Sequence, residues 1–300
     1  MPYINVDEAY ILDNTGLQVD QVVDIPYTDA ALTDTQKAQA RKNIAAGGTN
    51  PNLLDNPFFQ VNQRNVANGV AINANGYVAD RWQATGTNGA TRNADGTITV
   101  TNTLFHKLGD RGIAGKIVTL SVLFADDTIE SKTFTWSGTT TQNMDSINCT
   151  VYAATNQMNF NGGQQAVKAV KLELGSVSTL ANDTPPNYAD ELDRCQYYFE
   201  RISAGTANLT IGTGIGTGTY FYTPIKLHPK RTAPTVTYSG SVGIGRSAYE
   251  TDISAIYTSG CSSDPNSGNY NLAVTVTNTT QTAYRLIIKT GGYIDFSADL

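Results

Sequence analysis

Lys171 to Ile202 reads KLELGSVSTLANDTPPNYADELDRCQYYFERI. Running into it is an alternating stretch, Val167-Lys168-Ala169-Val170-Lys171-Leu172-Glu173-Leu174, that stops at Gly175. A two-residue period marks a strand with one face on a core. A loop rich in Ser, Thr, Asn and Asp follows and ends in Pro185-Pro186, where no regular element continues. Beyond it Leu192, Cys195, Phe199 and Ile202 recur at steps of three and four, one apolar stripe on a short helix. No residue set in the stretch carries catalytic chemistry. It reads as a fastener: a strand closing one domain, a rigid corner, and a helix leading into the next.

Outward from it, the same period recurs on both sides. Thr97–Thr101, Lys116–Phe124, Lys132–Trp136 and Cys149–Tyr152 alternate, with turn steps such as Asp95-Gly96 and Gly162-Gly163 between runs. After the helix, Tyr220–Tyr222, Thr235–Tyr238, Leu272–Thr277 and Tyr284–Lys289 repeat the pattern. Residues 240–270, with Gly243, Gly245, Gly260, Pro265 and Gly268, read as a long loop, and long loops in compact domains tend to be functional. The expected fold is mainly β: two antiparallel β-sandwich (jelly-roll-like) domains, a short N-terminal helix and a linking helix. Three hundred residues suit two such domains, each with its own core. The boundaries fall at 53–186 for the first sandwich, 187–202 for the linking helix and 203–300 for the second sandwich.

Near the start, Thr33-Asp34-Thr35-Gln36 reads as a capping box and Gly47-Gly48 as a helix stop. The helix between them offers few apolar groups beyond Leu32, Ala38, Ile44 and Ala45. So short a helix is marginal alone and needs partners, supplied by three copies around an axis or by folding back on the sandwich. Residues 1–31 are too few to hold a core, and Tyr10-Ile11-Leu12 is the β-like run expected to pair with another protein.

Composition narrows the function. Charged residues make up 15% of the chain, and Tyr (16) outnumbers Phe (9) and Trp (2), a profile of β-rich folds with many turns. A net charge of −6 argues against nucleic acid as a partner. No apolar run approaches a membrane span, so no membrane insertion is expected. The first residues lack the basic and apolar regions of a signal peptide. Cys149, Cys195 and Cys261 are far apart, which points to reduced cysteines and to neither a disulfide framework nor a zinc site.

Several stretches resemble segments of bacteriophage tail-fibre and receptor-binding proteins. Lys171-Leu172-Glu173-Leu174-Gly175-Ser176 with Glu191-Leu192-Asp193-Arg194-Cys195-Gln196-Tyr197-Tyr198 resembles their strand, Pro-rich crossing and helix. Leu32 to Ile44 resembles a short helix common near fibre N-termini. Asn52-Leu53-Leu54-Asp55-Asn56-Pro57-Phe58-Phe59 and Gly76-Tyr77-Val78-Ala79-Asp80-Arg81-Trp82 resemble the opening of the jelly-roll module in such fibres, and Phe296-Ser297-Ala298-Asp299-Leu300 resembles the closing strand of the fibres. The resemblance implies a homotrimeric virion protein, assembled in the host cytoplasm and carried on the extracellular particle. Residues 1–31 would attach it to a tail or capsid protein, 32–52 would form a helical neck and linker, and the C-terminal head would adhere to a host-surface glycan. A head fibre or capsid decoration built from the same modules is the first alternative.

The candidate site follows from how sugars are held. Aromatic faces cover their C–H groups while Asn, Asp and Thr take the hydroxyls. Tyr249 and Tyr257, flanking Asp252 in the 240–270 stretch, have that chemistry, and Trp136 is a second candidate platform. The bland alternative places all of them as ordinary strand aromatics in the cores. Trp82 reads as core, with Arg81 holding a loop.

Catalysis is not expected, nor any cofactor or metal. Gly212 to Gly218 has the spacing GxGxGxG with no helix pattern after it, so turn or bulge glycines are favoured over a phosphate cradle. His106 and His228 are the only histidines. His228 lies in the basic run Lys226 to Arg231, read as a solvated strand end. Asp126-Asp127-Thr128 looks like a hairpin turn, with Glu130 nearby, and Glu250 with Asp252 is another acidic pair. A polysaccharide-cleaving enzyme using such a pair is the less favoured alternative.

Overall fold

The computed structural model describes residues 50–73, 75–163, 165–216, 219–240, 242–246, 251–253, 255–258, 267–276 and 283–299. They belong to one compact unit, Gly48–Leu300. The expected N-terminal helix, with Ala38 and Ile44, and the attachment run Tyr10-Ile11-Leu12 lie outside the described residues.

The first part of the unit is all strand and turn. Its strands are Ala71–Ile72 (β1), Gly76–Ala79 (β2), Trp82–Thr85 (β3), Ala90–Arg92 (β4), Ile98–Val100 (β5), Thr103–Lys107 (β6), Ile117–Phe124 (β7), Ile129–Thr135 (β8), Thr139–Asn143 (β9), Asn148–Tyr152 (β10), Gln157–Asn161 (β11) and Ala166–Leu174 (β12). They form two antiparallel sheets, ordered β1-β4-β5-β12-β7-β8 and β2-β3-β6-β11-β10-β9. Each sheet turns one apolar face to a shared core. Val118, Leu120, Val122, Val170 and Leu172 come from the first sheet, and Trp82, Leu104, Cys149, Val151 and Phe160 from the second. β5 pairs with β12 in the first sheet and β6 with β11 in the second, so the β5–β6 and β11–β12 connections both cross from one sheet to the other. Asp126–Thr128 is the turn of the β7–β8 hairpin: Asp127 takes φ +65° and the Asp126 carboxylate accepts from the Thr128 amide at 3.1 Å.

The fastener shows why a strand can carry charge and still be central. In β12, Val170 and Leu172 enter the core, while Lys171 and Glu173 point to the other face and are nevertheless fully buried. Gly175 takes φ +101°, which returns the chain across that outer face. There Lys171 donates to Thr179 (2.8 Å) and Asp183 (2.7 Å), and Glu173 accepts from the Thr179 amide (2.7 Å) and hydroxyl (2.6 Å). Thr119 and Ser121 of β7 bond the same returning segment at Gly175 and Ser178. The loop is thus a strap over the sheet, held by buried polar groups that are each satisfied.

Past Pro186, Asn187 caps helix α1 (Tyr188–Gln196) by accepting from the Ala189 amide at 2.8 Å. The helix stops earlier than the apolar spacing suggests. Phe199 and Ile202 belong to a strand, Phe199–Ser203 (β13), which pairs residue for residue with Tyr293–Ser297 (β22). The run Tyr197-Tyr198-Phe199 has strand propensity, and the long-range partner decides the conformation. Glu191 and Cys195 are the residues that α1 buries.

The remaining strands are Leu209–Gly216 (β14), Tyr220–Lys226 (β15), Thr235–Ser239 (β16), Val242–Gly245 (β17), Thr251–Asp252 (β18), Ala255–Thr258 (β19), Asn269–Thr275 (β20) and Ala283–Ile288 (β21). The order β13-β22-β16 makes a three-stranded sheet, and β18-β17-β21-β14-β15-β20-β19 a seven-stranded one. Ile294 and Phe296 from the small sheet share a second core with Phe221, Ile244, Leu272, Val274, Leu286 and Ile288 from the large one.

The expected 240–270 loop is therefore corrected over its described residues, which form β17, β18, β19 and the start of β20. Val242 and Ile244 face the core and alternate with Gly243 and Gly245, a period-two pattern in which the intervening positions carry no side chain. β18 and β19 end the seven-strand order at opposite edges, which in a flat sheet would be about 29 Å apart. Only two residues separate Asp252 from Ala255, which limits their Cα atoms to about 11 Å. The sheet must roll so that its edges approach one another. Among the described residues no helix is long and apolar enough to cross a membrane.

Candidate functional site

Three stretches quoted for the fibre resemblance, and the closing residues, converge in space. Asp55 sits under Arg81 (3.5 Å), Arg111 (2.8 Å) and Arg194 (2.8 Å). Arg81, held at φ +72°, also reaches Asp299 (3.2 Å) and the Lys107 carbonyl, and stacks over the Tyr198 ring. Arg64 joins Asp80 and Asp299, both at 2.6 Å, and lies between the rings of Tyr77 and Phe199. Glu191 of α1 accepts from the Asn56 amide, and Trp82 donates its indole N–H to the Asn56 carbonyl at 2.8 Å. Side chains bonded to backbone carbonyls complete the joint: the Gln63 amide donates to the Phe199 carbonyl (2.8 Å) and the Arg201 guanidinium to that of Arg64 (2.7 Å).

The electrostatics of this joint are those of a lock. Burial alone would raise the Asp55 carboxyl, but Arg81 and Arg111 outweigh it and hold the group below its ordinary value. Burial raises Asp80 and Glu191 against the pull of Arg64 in one case and of the Asn56 amide and Arg194 in the other. His106 is fully buried beside Trp82, and burial, with Arg81 nearby, brings it down to about 3. It stays neutral at ordinary pH while its Nε2 faces the Asp55 carbonyl at 3.2 Å. Each carboxylate of the joint accepts from a guanidinium or a backbone amide.

The basic run is corrected too. Lys230 is fully buried, donating to Glu200 (2.6 Å) and the Gln196 carbonyl (2.7 Å), and Arg231 bonds the Ala298 carbonyl. His228 meets Asp193 at 2.7 Å. This run ties α1 to β13 and to the strand end at Ala298. The acidic cluster also disperses: Asp127 pairs with Lys168, while Glu130 accepts from Ser146. Among the described residues no group of three or more His, Cys, Asp or Glu is arranged to hold a metal.

Two clefts are open near the first core. One, of about 370 Å³, is lined by Asn52, Asp183, Glu191 and Arg194 among others, and the other, of about 570 Å³, by Asn62, Arg92 and Asn93. Their polar groups already serve the fold. Asn52 donates to the Val170 carbonyl, Asp183 takes Lys171, Arg92 donates to the Phe59 carbonyl, and Asn93 donates to Thr97 and Thr99.

The sequence-predicted sugar site is met in part. Trp136 is 1% exposed, packed in the first core against Phe134, so its face is closed to any ligand. It closes the end of the apolar alternation in β8, where an aromatic ring fills the core edge. Tyr249 lies outside the described residues. Asp252 is exposed on β18, its backbone opposite Gly243. Tyr257 lies on β19, its backbone opposite Ala273, at the other end of the strand order.

What sequence reasoning missed is the outer face of the rolled sheet. In β15, Phe221, Thr223 and Ile225 turn inward, leaving Tyr220 (39% exposed) and Tyr222 (38%) outward with ring centroids 6.2 Å apart. Ile215, at 61%, stands opposite Tyr222 on β14. The next rung beyond Tyr222 is Ala273, then the Tyr257 backbone position. The glycine run makes this possible: a side chain at Gly214 would overlap the Tyr222 carbonyl oxygen, so glycine lets β14 and β15 lie close. A ladder irregularity between Thr210 and Gly212 fits the expected bulge. The signal was present as Tyr-Phe-Tyr, whose alternation puts two tyrosines on one face.

Compared with known proteins, the chain matches no family model, no curated relative and no solved structure.

Proposed function

We propose that this chain is a bacteriophage fibre protein that adheres to the host surface by binding glycan, with the outward tyrosines of β15 as its contact surface. The observation that carries the reading is the pair Tyr220 and Tyr222 beside Ile215, exposed together on one face of the sheet. Aromatic faces presented by a sheet are what a sugar ring stacks on. In this reading the two-sheet sandwich is a jelly-roll-like shoulder domain and the rolled sheet a separate head domain. The β5–β6 and β11–β12 connections that cross between the sheets support the first. The locked joint suits a shaft that must transmit force between the two. Three copies joined through residues 32–52 would multiply weak contacts into lasting adhesion.

The test is binding of fluorescently labelled full-length protein to a panel of bacterial cells, beside a Tyr220→Ala/Tyr222→Ala double variant. Binding that disappears in the double variant, with an unchanged melting temperature, supports the adhesin. Binding that survives it removes this surface from the proposal. Absence of binding to any cell infected by the parent particle favours a capsid decoration instead.

A further inference from the structure

The adhesive face has a charge bias that the chain as a whole lacks. The protein carries 26 acidic and 20 basic residues. Yet β14, β15, β20 and β21, four adjacent strands of the rolled sheet, contain Lys226 and Arg285 and no Asp or Glu. Lys226 is engaged with the Ser267 carbonyl at 2.8 Å. Arg285 is exposed and has no carboxylate partner among the described residues. Its neighbours Tyr284 and Leu286 face the second core, so Arg285 points to the same outer face as the tyrosines.

Register places it near them. Arg285 is opposite Thr213 on β14, and one same-face step along β14 is Ile215, which is opposite Tyr222 on β15. Two strand spacings and one such step put the Arg285 and Tyr222 Cα positions about 12 Å apart. Side chains of that length reach inward from both ends of such a span. A sugar stacked on Tyr222 would place its substituents between the ring and the guanidinium. An exposed guanidinium with no carboxylate partner among the described residues, on the same face as aromatic rings, matches a carboxylate or phosphate held in bidentate fashion.

We propose that the ligand of this face is an anionic sugar, with the pyranose on Tyr222 and its carboxylate or phosphate on Arg285. The proposal rests on the adhesin reading above and adds the charge of the glycan. Recognition is then short-range: at physiological salt the overall −6 charge is screened beyond about 8 Å, within which Arg285 dominates.

The experiment is titration calorimetry of the full chain against matched pairs. Uronate oligosaccharides are set beside their carboxyl-reduced forms, and phosphorylated sugars beside their dephosphorylated forms. At least one acidic member is expected to bind ten-fold or more tighter than its neutral partner. Arg285→Gln should erase that preference while leaving neutral binding as it was, and Arg285→Lys should restore part of it. Which pair shows the preference distinguishes carboxylate from phosphate. Equal binding of acidic and neutral partners, or a preference that survives Arg285→Gln, overturns the anionic ligand yet leaves the tyrosine platform standing. Unaltered binding in Tyr222→Ala overturns the platform itself, and no binding to any member of the panel counts against both.

Discussion

Asp299→Asn tests the joint at a point where both halves meet. The Asp299 carboxylate, 11% exposed, accepts from Arg64 at 2.6 Å and from Arg81 at 3.2 Å. Breaking a buried ion pair by removing one partner costs about 3–5 kcal/mol, chiefly because a charge is left uncompensated. Here neither guanidinium is orphaned, since Arg64 keeps Asp80 and Arg81 keeps Asp55. The expected loss is therefore near the low end, about 3 kcal/mol, or a melting temperature about 6–12 °C lower for a chain of this size. Asp127→Asn is the internal control. Lys168–Asp127 is also 2.6 Å long, but its side chains are 47% and 75% exposed, and exposed pairs contribute about 0–1 kcal/mol. Calorimetric melts of both variants at pH 7 decide the matter. Equal losses in the two, or a loss under about 1 kcal/mol in Asp299→Asn, would refute the argument that burial makes this joint a lock.

Acid sensitivity is expected from His106, a base whose folded value of about 3 lies below its unfolded 6.5. The unfolded chain takes up this proton first, so the contribution of His106 is complete above pH 6.5. It is lost toward pH 3 at no more than about 1.4 kcal/mol per pH unit. Denaturant midpoints should fall between pH 7 and 5, and less so in His106→Gln; parallel slopes would exclude His106 as the cause. Gly214→Ala drives a methyl group into the Tyr222 carbonyl, a clash expected to cost roughly 3 kcal/mol or to abolish folding of the rolled sheet, read by melting and by the yield of soluble protein. Lys171→Met leaves Glu173 beneath the strap and Asp183 at its end without their cation. The loss should be about 3–5 kcal/mol, with early proteolysis near 176–183; an intact strap under protease would contradict it.

Local pattern made most of the strands legible. Alternation at 116–124, 149–152, 167–174 and 284–289 marked β7, β10, β12 and β21, because a two-residue period states directly which face is apolar. The corner at Pro185-Pro186 and the glycine bulge were equally local. Where the reading failed, a distant partner had overruled the local pattern. Phe199 and Ile202 kept helical spacing but paired with β22. Val242 to Gly245 read as loop because glycine occupied the outward positions. Lys226 to Arg231 read as solvated, yet Glu200 and the Gln196 carbonyl drew Lys230 inside.

The candidate site was split in the same way. The sequence alone determined a mainly β chain rich in tyrosine, since composition and period are properties of the chain itself. It also held the residues of the joint, as four separated stretches with no visible connection. Only the tertiary structure brought Asp55, Arg64, Arg81, Arg194 and Asp299 together, buried Trp136 and turned Tyr222 and Arg285 to one face. Those outcomes depend on strand order and on what covers each outer face, and both are set by contacts between residues far apart in the chain, where no local period reaches.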